Sequence, residues 1–230
     1  LKTLLIVLYI VCAGASHAFS TKAQQALLID ADTNEVLFQK NATSKMHPSS
    51  MSKLMSLYVA FDMLKQKQIN LTDSVRVSTK AWKAGGSKMF LSPTSNVSIE
   101  ELLRGIIVQS GNDACIALAE NIGGTEEDFV NRMNVLANEI GLKNSKFTNS
   151  TGLPDKNHYM TAFDLAVLAR KIIYSFPEYY SYFAETDFTY NNITQANRNT
   201  LLKRGVYVDG LKTGHTSAGG YGVVASANKD

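Results

Sequence analysis

The sequence predicts an α/β protein of the α+β kind, one sheet packed against helices. A hairpin pattern near residue 30, a long helical block through the middle and strand patterns from Asp187 onward carry that prediction. The early hairpin is buried only if it pairs with the late strands, so the three blocks are expected to close into a single sheet. At 230 residues, 45% apolar and 19% charged, the chain is globular and long enough for one sizeable core or two small lobes.

Each element has its own signal. "QQALLIDADTNEVLFQKNA" holds two short apolar runs, Ala26–Ile29 and Val36–Phe38, around the turn-forming "DADTN", which reads as a β-hairpin. Leu54, Leu57, Tyr58 and Phe61 recur at helical spacing, predicting an amphipathic helix that starts near Ser49 or Ser50, just after Pro48. A polar stretch with Gly85, Gly86 and Pro93 ends in "SIEELLRGIIVQ", where Ser98 and Glu101 form a capping box. "NDACIALAENIG" and "TEEDFVNRMNVLANEIG" are further helices, each closed by a glycine. "NSTGLPDKNHYMT" is a loop before the helix "TAFDLAVLARKIIYSFP". "DFTYNNI", "YVDGLKTG" and "YGVVASA" read as strands between turns. Tyr179, Tyr180 and Tyr182, after Pro177, read as packing residues.

Charge and termini narrow the class. A net charge of +3, with no basic cluster interleaved with aromatics, sets nucleic-acid binding aside. Lys2, the apolar "TLLIVLYIVCAGA" and the small-residue group "ASHAFS" with a Ser16-x-Ala18 cleavage pattern read as a signal peptide over residues 1–18. The run is short for a membrane span, which needs about 20 residues. The mature protein is expected to begin at Phe19 and fill residues 19–230 with one catalytic domain. Cys12 lies inside the signal behind Val11, where a lipid-attachment cysteine wants a small residue, so lipidation is not expected. Cys115 is then the one mature cysteine, no intrachain disulfide is possible, and the core must supply the stability. With no initiator Met and an end at "SANKD" in mid-strand, the sequence reads as a C-terminally incomplete fragment.

Three short motifs carry chemistry. The first is Ser50-Met51-Ser52-Lys53. On a helix Ser50 and Lys53 share a face, with Cβ atoms about 5–6 Å apart. A serine hydroxyl attacks poorly until a base takes its proton, and lysine is that base only if its pKa falls from about 10.4 to near 7. Burial and a second cation lower it, and the helix N-terminus favours charge growing on the serine oxygen. The second is Ser110-Gly111-Asn112, a hydroxyl and an amide that a turn can aim into one cleft. The third is Lys212-Thr213-Gly214, where a strand points Lys212 and Gly214 one way and Thr213 the other, and Gly214 lets a ligand backbone approach. Each has a plainer explanation when met alone: a surface helix, an N-cap, a strand-end turn.

Together, in the order Ser-x-x-Lys, Ser-x-Asn, Lys-Thr-Gly, they match the set shared by class A β-lactamases and penicillin-binding proteins, with Gly111 where that set has aspartate. "KTGHT", "VQSGNDAC", "GGSKMFL", "LKNSKFTNSTGL" and "NRNTLL" narrow the match. From about residue 22 to its end the chain resembles the D-alanyl-D-alanine carboxypeptidases, the low-molecular-mass penicillin-binding proteins of peptidase family S11.

The resemblance implies a β-lactamase/transpeptidase-like fold: an antiparallel sheet flanked by helices, a mostly helical lobe beside it, and the active site between them. It implies that Ser50 attacks the carbonyl between the last two D-alanines of a peptidoglycan stem peptide, with Lys53 as general base. Ser110 would relay a proton to the leaving D-alanine, and Asn112 would hold Lys53 and the substrate amide. Lys212 would lower the pKa of Lys53 and, with Arg198, bind the terminal carboxylate, for which a cation pair is the fitting chemistry. Gly214 would admit the substrate, Thr213 and His215 would line the strand side, and the amides of Ser50 and His215 would form the oxyanion hole. β-Lactams would be covalent inhibitors. No cofactor is expected and no metal, since the four histidines show no ligand spacing.

Rival readings use the same residues. A class A β-lactamase adds a loop glutamate that activates water for deacylation, whereas "NSTGLPDKNHYMT" offers only Asp155, so penicillin is expected to trap the enzyme. A D,D-endopeptidase would differ in substrate access. A catalytically silent wall-binding module would lose nothing on Ser50→Ala. The family usually continues into a small β-rich domain and a C-terminal amphipathic helix on the outer face of the cytoplasmic membrane. Membrane attachment is therefore expected only through a segment after Asp230, with the protein in the periplasm. The last strand and helix of the catalytic domain are expected there too, which leaves a sheet edge uncovered.

Overall fold

A computed structural model describes residues 20–205 and 207–228, so the expected signal segment lies outside the described residues. The chain opens with β1 (Ala26–Ile29) and β2 (Val36–Lys40), then α1 (Lys53–Lys65), β3 (Ser74–Val75) and α2 (Thr79–Lys83). The helical block continues through β4 (Val97–Ser98), α3 (Ile99–Val108), α4 (Asn112–Gly123), α5 (Glu126–Glu139), α6 (Ala162–Ser175) and α7 (Pro177–Tyr180). It closes with β5 (Asp187–Tyr190), β6 (Ile193–Ala196), β7 (Val208–Thr216) and β8 (Gly220–Ala227).

The local chemistry explains most boundaries. In the β1–β2 turn, Asp30 Oδ1 accepts from the amides of Asp32 and Thr33 and from Thr33 Oγ1. The capping box at α3 is present, Ser98 Oγ accepting from the Glu101 amide and Glu101 Oε2 from the Ser98 amide. Thr125 and Thr161 cap α5 and α6 in the same way.

Three expectations need correction in detail. First, α1 is not amphipathic. Leu54, Met55, Leu57, Val59, Ala60 and Phe61 are all fully buried, as are Ser56 and Lys53, so the helix runs through the core with apolar contacts all round. Second, the early hairpin does not pair with the late strands. The described strands form four separate antiparallel pairs, β1–β2, β3–β4, β5–β6 and β7–β8. The hairpin instead lies on α6, where Arg170 Nε donates to Ala31 O at 2.6 Å and the Tyr174 hydroxyl donates to Asp32. Third, "DFTYNNI" is not one strand. Asn191 and Asn192 both take positive φ, 48° and 61°, which is the backbone of a two-residue I′ hairpin turn.

The core sits where α1 meets α4, α5 and α6. Tyr179 stacks on Phe61 at 5.0 Å, and Phe176 meets Tyr58 edge-on at 5.1 Å, so the tyrosine segment packs as expected. Against the N-terminal end of α1 lies β7, and beside both is the α3–α4 junction. Those three elements frame one cleft.

Candidate active site

A 3₁₀ turn, Ser49–Ser52, follows Pro48 and runs straight into α1. It presents Ser50 to the cleft and puts Lys53 at the first residue of the buried helix. Ser49 holds φ +51, a conformation that costs a non-glycine residue on the order of 1 kcal/mol. Its Oγ lies 2.8 Å from Thr216 Oγ1, which ties the turn to β7.

Lys53 is fully buried. Its Nζ donates to Ser50 Oγ at 2.9 Å, to Asn112 Oδ1 at 2.7 Å and to the Thr151 carbonyl at 2.7 Å. Those three acceptors use all three protons of an ammonium. Burial lowers its pKa to about 8, helped by Arg198 and opposed by Cys115 and Asp113. Lys212, 2% exposed on β7, has no carboxylate partner among the described residues. Burial first, then Lys53 and Arg198, pushes its pKa well below the ordinary lysine value. Two amines and a guanidinium thus share one cleft without a balancing ion pair, an arrangement suited to an anionic ligand.

The α3–α4 junction supplies the second motif. Ser110 holds φ +60 and is 3% exposed, and its Oγ has no hydrogen-bond partner among the described residues. Asn112, at the start of α4, accepts from Lys53 through Oδ1 and donates through Nδ2 to Gly85 O at 2.7 Å. That leaves one Nδ2 proton for a ligand. Next to it, buried Asp113 accepts from the amides of Met89 and Leu91, pinning the 85–91 loop over the cleft.

Arg198 arrives from the segment after β6. Buried Asn197 donates to Glu185 O and buried Asn199 to Gly210 O, so the two asparagines clamp the backbone on either side. The exposed Arg198 between them donates through Nε to Gln109 O at 3.3 Å, beside Ser110. On β7, Lys212 and Gly214 are buried, with Thr213 more open and His215 exposed. His215 stacks on Tyr221 with ring centroids 4.0 Å apart.

Over these groups lies a cavity of about 230 Å³ lined by Ser50, Gly86, Ser87, Asn112, Thr151, Gly152, Leu153, His215 and Thr216. Of the expected site residues, Ser50, Asn112 and His215 line it, whereas Lys53, Ser110, Arg198, Lys212, Thr213 and Gly214 do not. Ser49, Thr151, Gly152 and Thr216 have site positions that the three motifs do not point to. Thr151 acts through a backbone carbonyl, which leaves no trace in residue type. Gly152 did carry a signal, since it has φ +81 and a Cβ there would sit 2.0 Å from Ser49 O. Among the described residues, no group of three or more His, Cys, Asp or Glu side chains lies together as metal ligands would.

The cleft sets a buried lysine beside a serine among further cations, and comparison with known proteins gives the family. Residues 13–230 match the D-alanyl-D-alanine carboxypeptidase family of peptidases S11. The chain belongs to that family. It is 45% identical over 209 residues to D-alanyl-D-alanine carboxypeptidase DacA of Haemophilus influenzae, covering 89% of this chain and 53% of that protein. It is 42% identical over 220 residues to DacC of Escherichia coli, covering 93% and 55%. The crystal structure of penicillin binding protein 5 from Haemophilus influenzae superposes with a TM-score of 0.87 at 44% identity, over 90% of this chain and 61% of that one. The chain therefore spans about half the length of the curated relatives it matches. Among the described residues, no helix is long and apolar enough to cross a membrane.

Proposed function

We propose that the chain is the catalytic part of a serine-type D-Ala-D-Ala carboxypeptidase, removing the terminal D-alanine from peptidoglycan stem pentapeptides through an acyl-enzyme on Ser50. The observation that carries this is the 2.9 Å contact between Lys53 Nζ and Ser50 Oγ, set in a buried cleft rich in cations.

The contact gives Lys53 its role. Of its three acceptors only Ser50 carries a proton of its own, since Asn112 Oδ1 and the Thr151 carbonyl can only accept. When the amine loses a proton, those two keep their bonds, and the bond to Ser50 reverses so that the hydroxyl donates to Nζ. The lysine lone pair is thereby aimed at the proton that must leave. Ser50 Oγ then attacks the carbonyl between the two D-alanines, and Nζ takes the hydroxyl proton.

The other residues follow from what the substrate carries. Its terminal carboxylate fits Lys212 and Arg198, which have no carboxylate partner among the described residues. The free Nδ2 proton of Asn112 binds the peptide carbonyl, and the amides of Ser50 and His215 take the developing oxyanion. Ser110 gives its hydroxyl proton to the departing D-alanine nitrogen and recovers one from the Lys53 ammonium, so the proton taken from Ser50 leaves on free D-alanine and Nζ returns to neutral. Water then adds to the acyl-enzyme carbonyl, and expulsion of Ser50 Oγ releases the shortened peptide and restores the hydroxyl.

The same carbonyl attack opens a β-lactam ring, and the cavity favours a trapped product. None of its lining residues is a carboxylate that could activate water, and Asp155 instead accepts from the Asn157 amide in an exposed turn. The relative of known structure at 44% identity is itself called a penicillin binding protein. Peptidoglycan as substrate places the enzyme outside the cytoplasmic membrane, in the periplasm, with residues 1–18 as export signal and residues 19–230 as catalytic domain.

The test is mass spectrometry of a full-length version incubated with penicillin, beside Ser50→Ala, with D-alanine release from a peptide ending in D-Ala-D-Ala measured in parallel. A lasting adduct on the Ser50 peptide, lost in the variant, and D-alanine release dependent on Ser50 are expected. No adduct and no release would remove the nucleophile assignment. Rapid penicillin turnover would point to a β-lactamase.

A further inference from the structure

The Thr151 carbonyl is one of three groups that aim Lys53, and its position depends on the residue before it. Ser150 is fully buried and held from two sides. Its carbonyl accepts from Ser56 Oγ of α1 at 2.6 Å and from Cys115 Sγ of α4 at 3.0 Å. Its amide and hydroxyl both donate to one atom, Glu126 Oε1, at 3.0 and 2.6 Å. The other carboxylate oxygen, Oε2, pairs with Lys80 Nζ of α2 at 2.6 Å. Glu126 is the first residue of α5 and belongs to none of the motifs that mark the cleft.

We infer that Glu126 is a positioning residue, acting through Ser150 to hold the Thr151 carbonyl against the Lys53 ammonium. This rests on the reading of Ser50 and Lys53 given above. Charge-assisted bonds from a buried amide and hydroxyl are short and directional, and Glu126 grips the Asn149–Ser150 peptide and the Ser150 side chain, one residue before Thr151. The loop has little slack, because Asn149 Oδ1 accepts from the amides of Thr151, Gly152 and Leu153. A shift at Ser150 is therefore transmitted to the Thr151 carbonyl, not absorbed by the loop.

The carbonyl stabilises the charged amine, so loosening it lowers the Lys53 pKa and spoils its aim. Lys53 is otherwise faced by Cys115 and Asp113 of α4, Arg198, Lys212 of β7 and His158, while Glu126 itself faces Lys80, the Ser150 group and, electrostatically, Cys115. None of the Lys53 neighbours bonds to Glu126.

The experiment is the rate of penicillin acylation as a function of pH in the full-length protein, with thermal melting alongside. Glu126→Ala is expected to slow acylation about 10- to 100-fold and to move the acid limb of the profile to lower pH. Glu126→Gln keeps an oxygen for Ser150 and is expected to recover most of the rate. Glu127→Ala, an exposed carboxylate in the same helical turn, is expected to behave as wild type. If Glu126→Ala does not fold, Ser150→Ala decides, since it removes the hydroxyl bond alone and is expected to shift the same limb the same way. A wild-type rate in the alanine variant overturns the proposal. So does a slowed rate with an unmoved profile that glutamine fails to rescue. Ser50→Ala is run beside them: acylation there would remove the nucleophile assignment and this proposal with it, whereas acylation lost in Ser50→Ala but unchanged in Glu126→Ala overturns this proposal alone.

Discussion

A β-carbon on Gly214 would lie 3.1 Å from the Ser50 amide nitrogen and 3.0 Å from that of Met51, so β7 and the Ser49–Ser52 turn are in direct backbone contact. The expected reason for a glycine here was approach by a ligand backbone. The closest neighbour is instead the protein's own turn. Gly214→Ala must push the two apart by a few tenths of an ångström, overpacking that costs about 1–3 kcal/mol. The larger effect is expected on Ser50, because displacing the proposed attacking group by a fraction of an ångström lowers acylation by about tenfold or more. Stopped-flow penicillin acylation with a thermal melt checks both, and a variant with wild-type acylation would show that the turn tolerates the shift.

Activity should rise with pH through the Lys53 titration. Burial sets that pKa at about 8, so the neutral amine, the form the proposed base requires, is the minor form at neutral pH. Stability should follow the same sign. The folded-state pKa is depressed below the unfolded value of 10.5, so the unfolded chain binds more protons between about 8 and 10.5, and stability rises with pH across that window. Lys212 acts in the same direction. Tyr182 opposes it at the alkaline end, because burial pushes its pKa up to about 12 and stability falls once the unfolded tyrosine ionises above 10. Urea denaturation across this range checks the prediction, and Lys53→Met should flatten the rising part.

On the acid side His158 should dominate locally. It is 1% exposed, its Nδ1 accepts from the Thr148 amide at 3.3 Å, and its Nε2 has no partner among the described residues. Burial lowers its pKa from 6.5 to about 4, against Asp155 and with help from His47 and Lys53. The unfolded histidine binds a proton first, so stability is lost as pH falls from about 6.5 towards 4. His158→Gln should remove that part of the slope in a pH series of thermal melts while leaving stability above neutrality less affected.

How much of this was legible beforehand varies with the kind of signal. The capping box and the hairpin turn at Asp30 depend on short-range chemistry and are present where the residues indicated; α5 is followed by Gly141 at φ +89 as expected, whereas α4 runs through Gly123 and stops on Gly124 at φ +82. The burial of α1 on every side was not legible from Leu54, Leu57, Tyr58 and Phe61, because Ser52, Ser56 and Lys53 read as polar and are buried all the same. The pairing of distant strands has no local signature, and the expected single sheet proved to be separate pairs among the described residues. Within the cleft, Ser50, Lys53 and Asn112 meet directly, and Arg198 and Lys212 face the same lysine. The Thr151 carbonyl and its support from Glu126 were invisible, since they depend on a backbone atom and on a residue type common in any first helical turn.

Ser110 offers the cleanest separation of stability from chemistry. Its hydroxyl is buried without a partner, in a junction whose backbone is already fixed by the Gly111 amide bonding to Gly105 O and by the Asn112 amide bonding to Ser87 O. Removing an unsatisfied buried hydroxyl takes away a desolvation cost of about 1–3 kcal/mol and breaks no bond, so Ser110→Ala should melt at or above the wild-type temperature. The methyl side chain also keeps the conformational demand unchanged, because alanine and serine meet the same strain at φ +60. Proton transfer to the departing D-alanine nitrogen should nevertheless be lost, lowering D-alanine release by about 10²–10⁴-fold. Binding of the terminal carboxylate by Lys212 and Arg198 should persist, which confines the defect to turnover. Calorimetry and D-alanine release on the same preparation decide it: a destabilised variant would mean that the hydroxyl has a structural partner, and an active one would mean that the proton reaches the leaving nitrogen by another group.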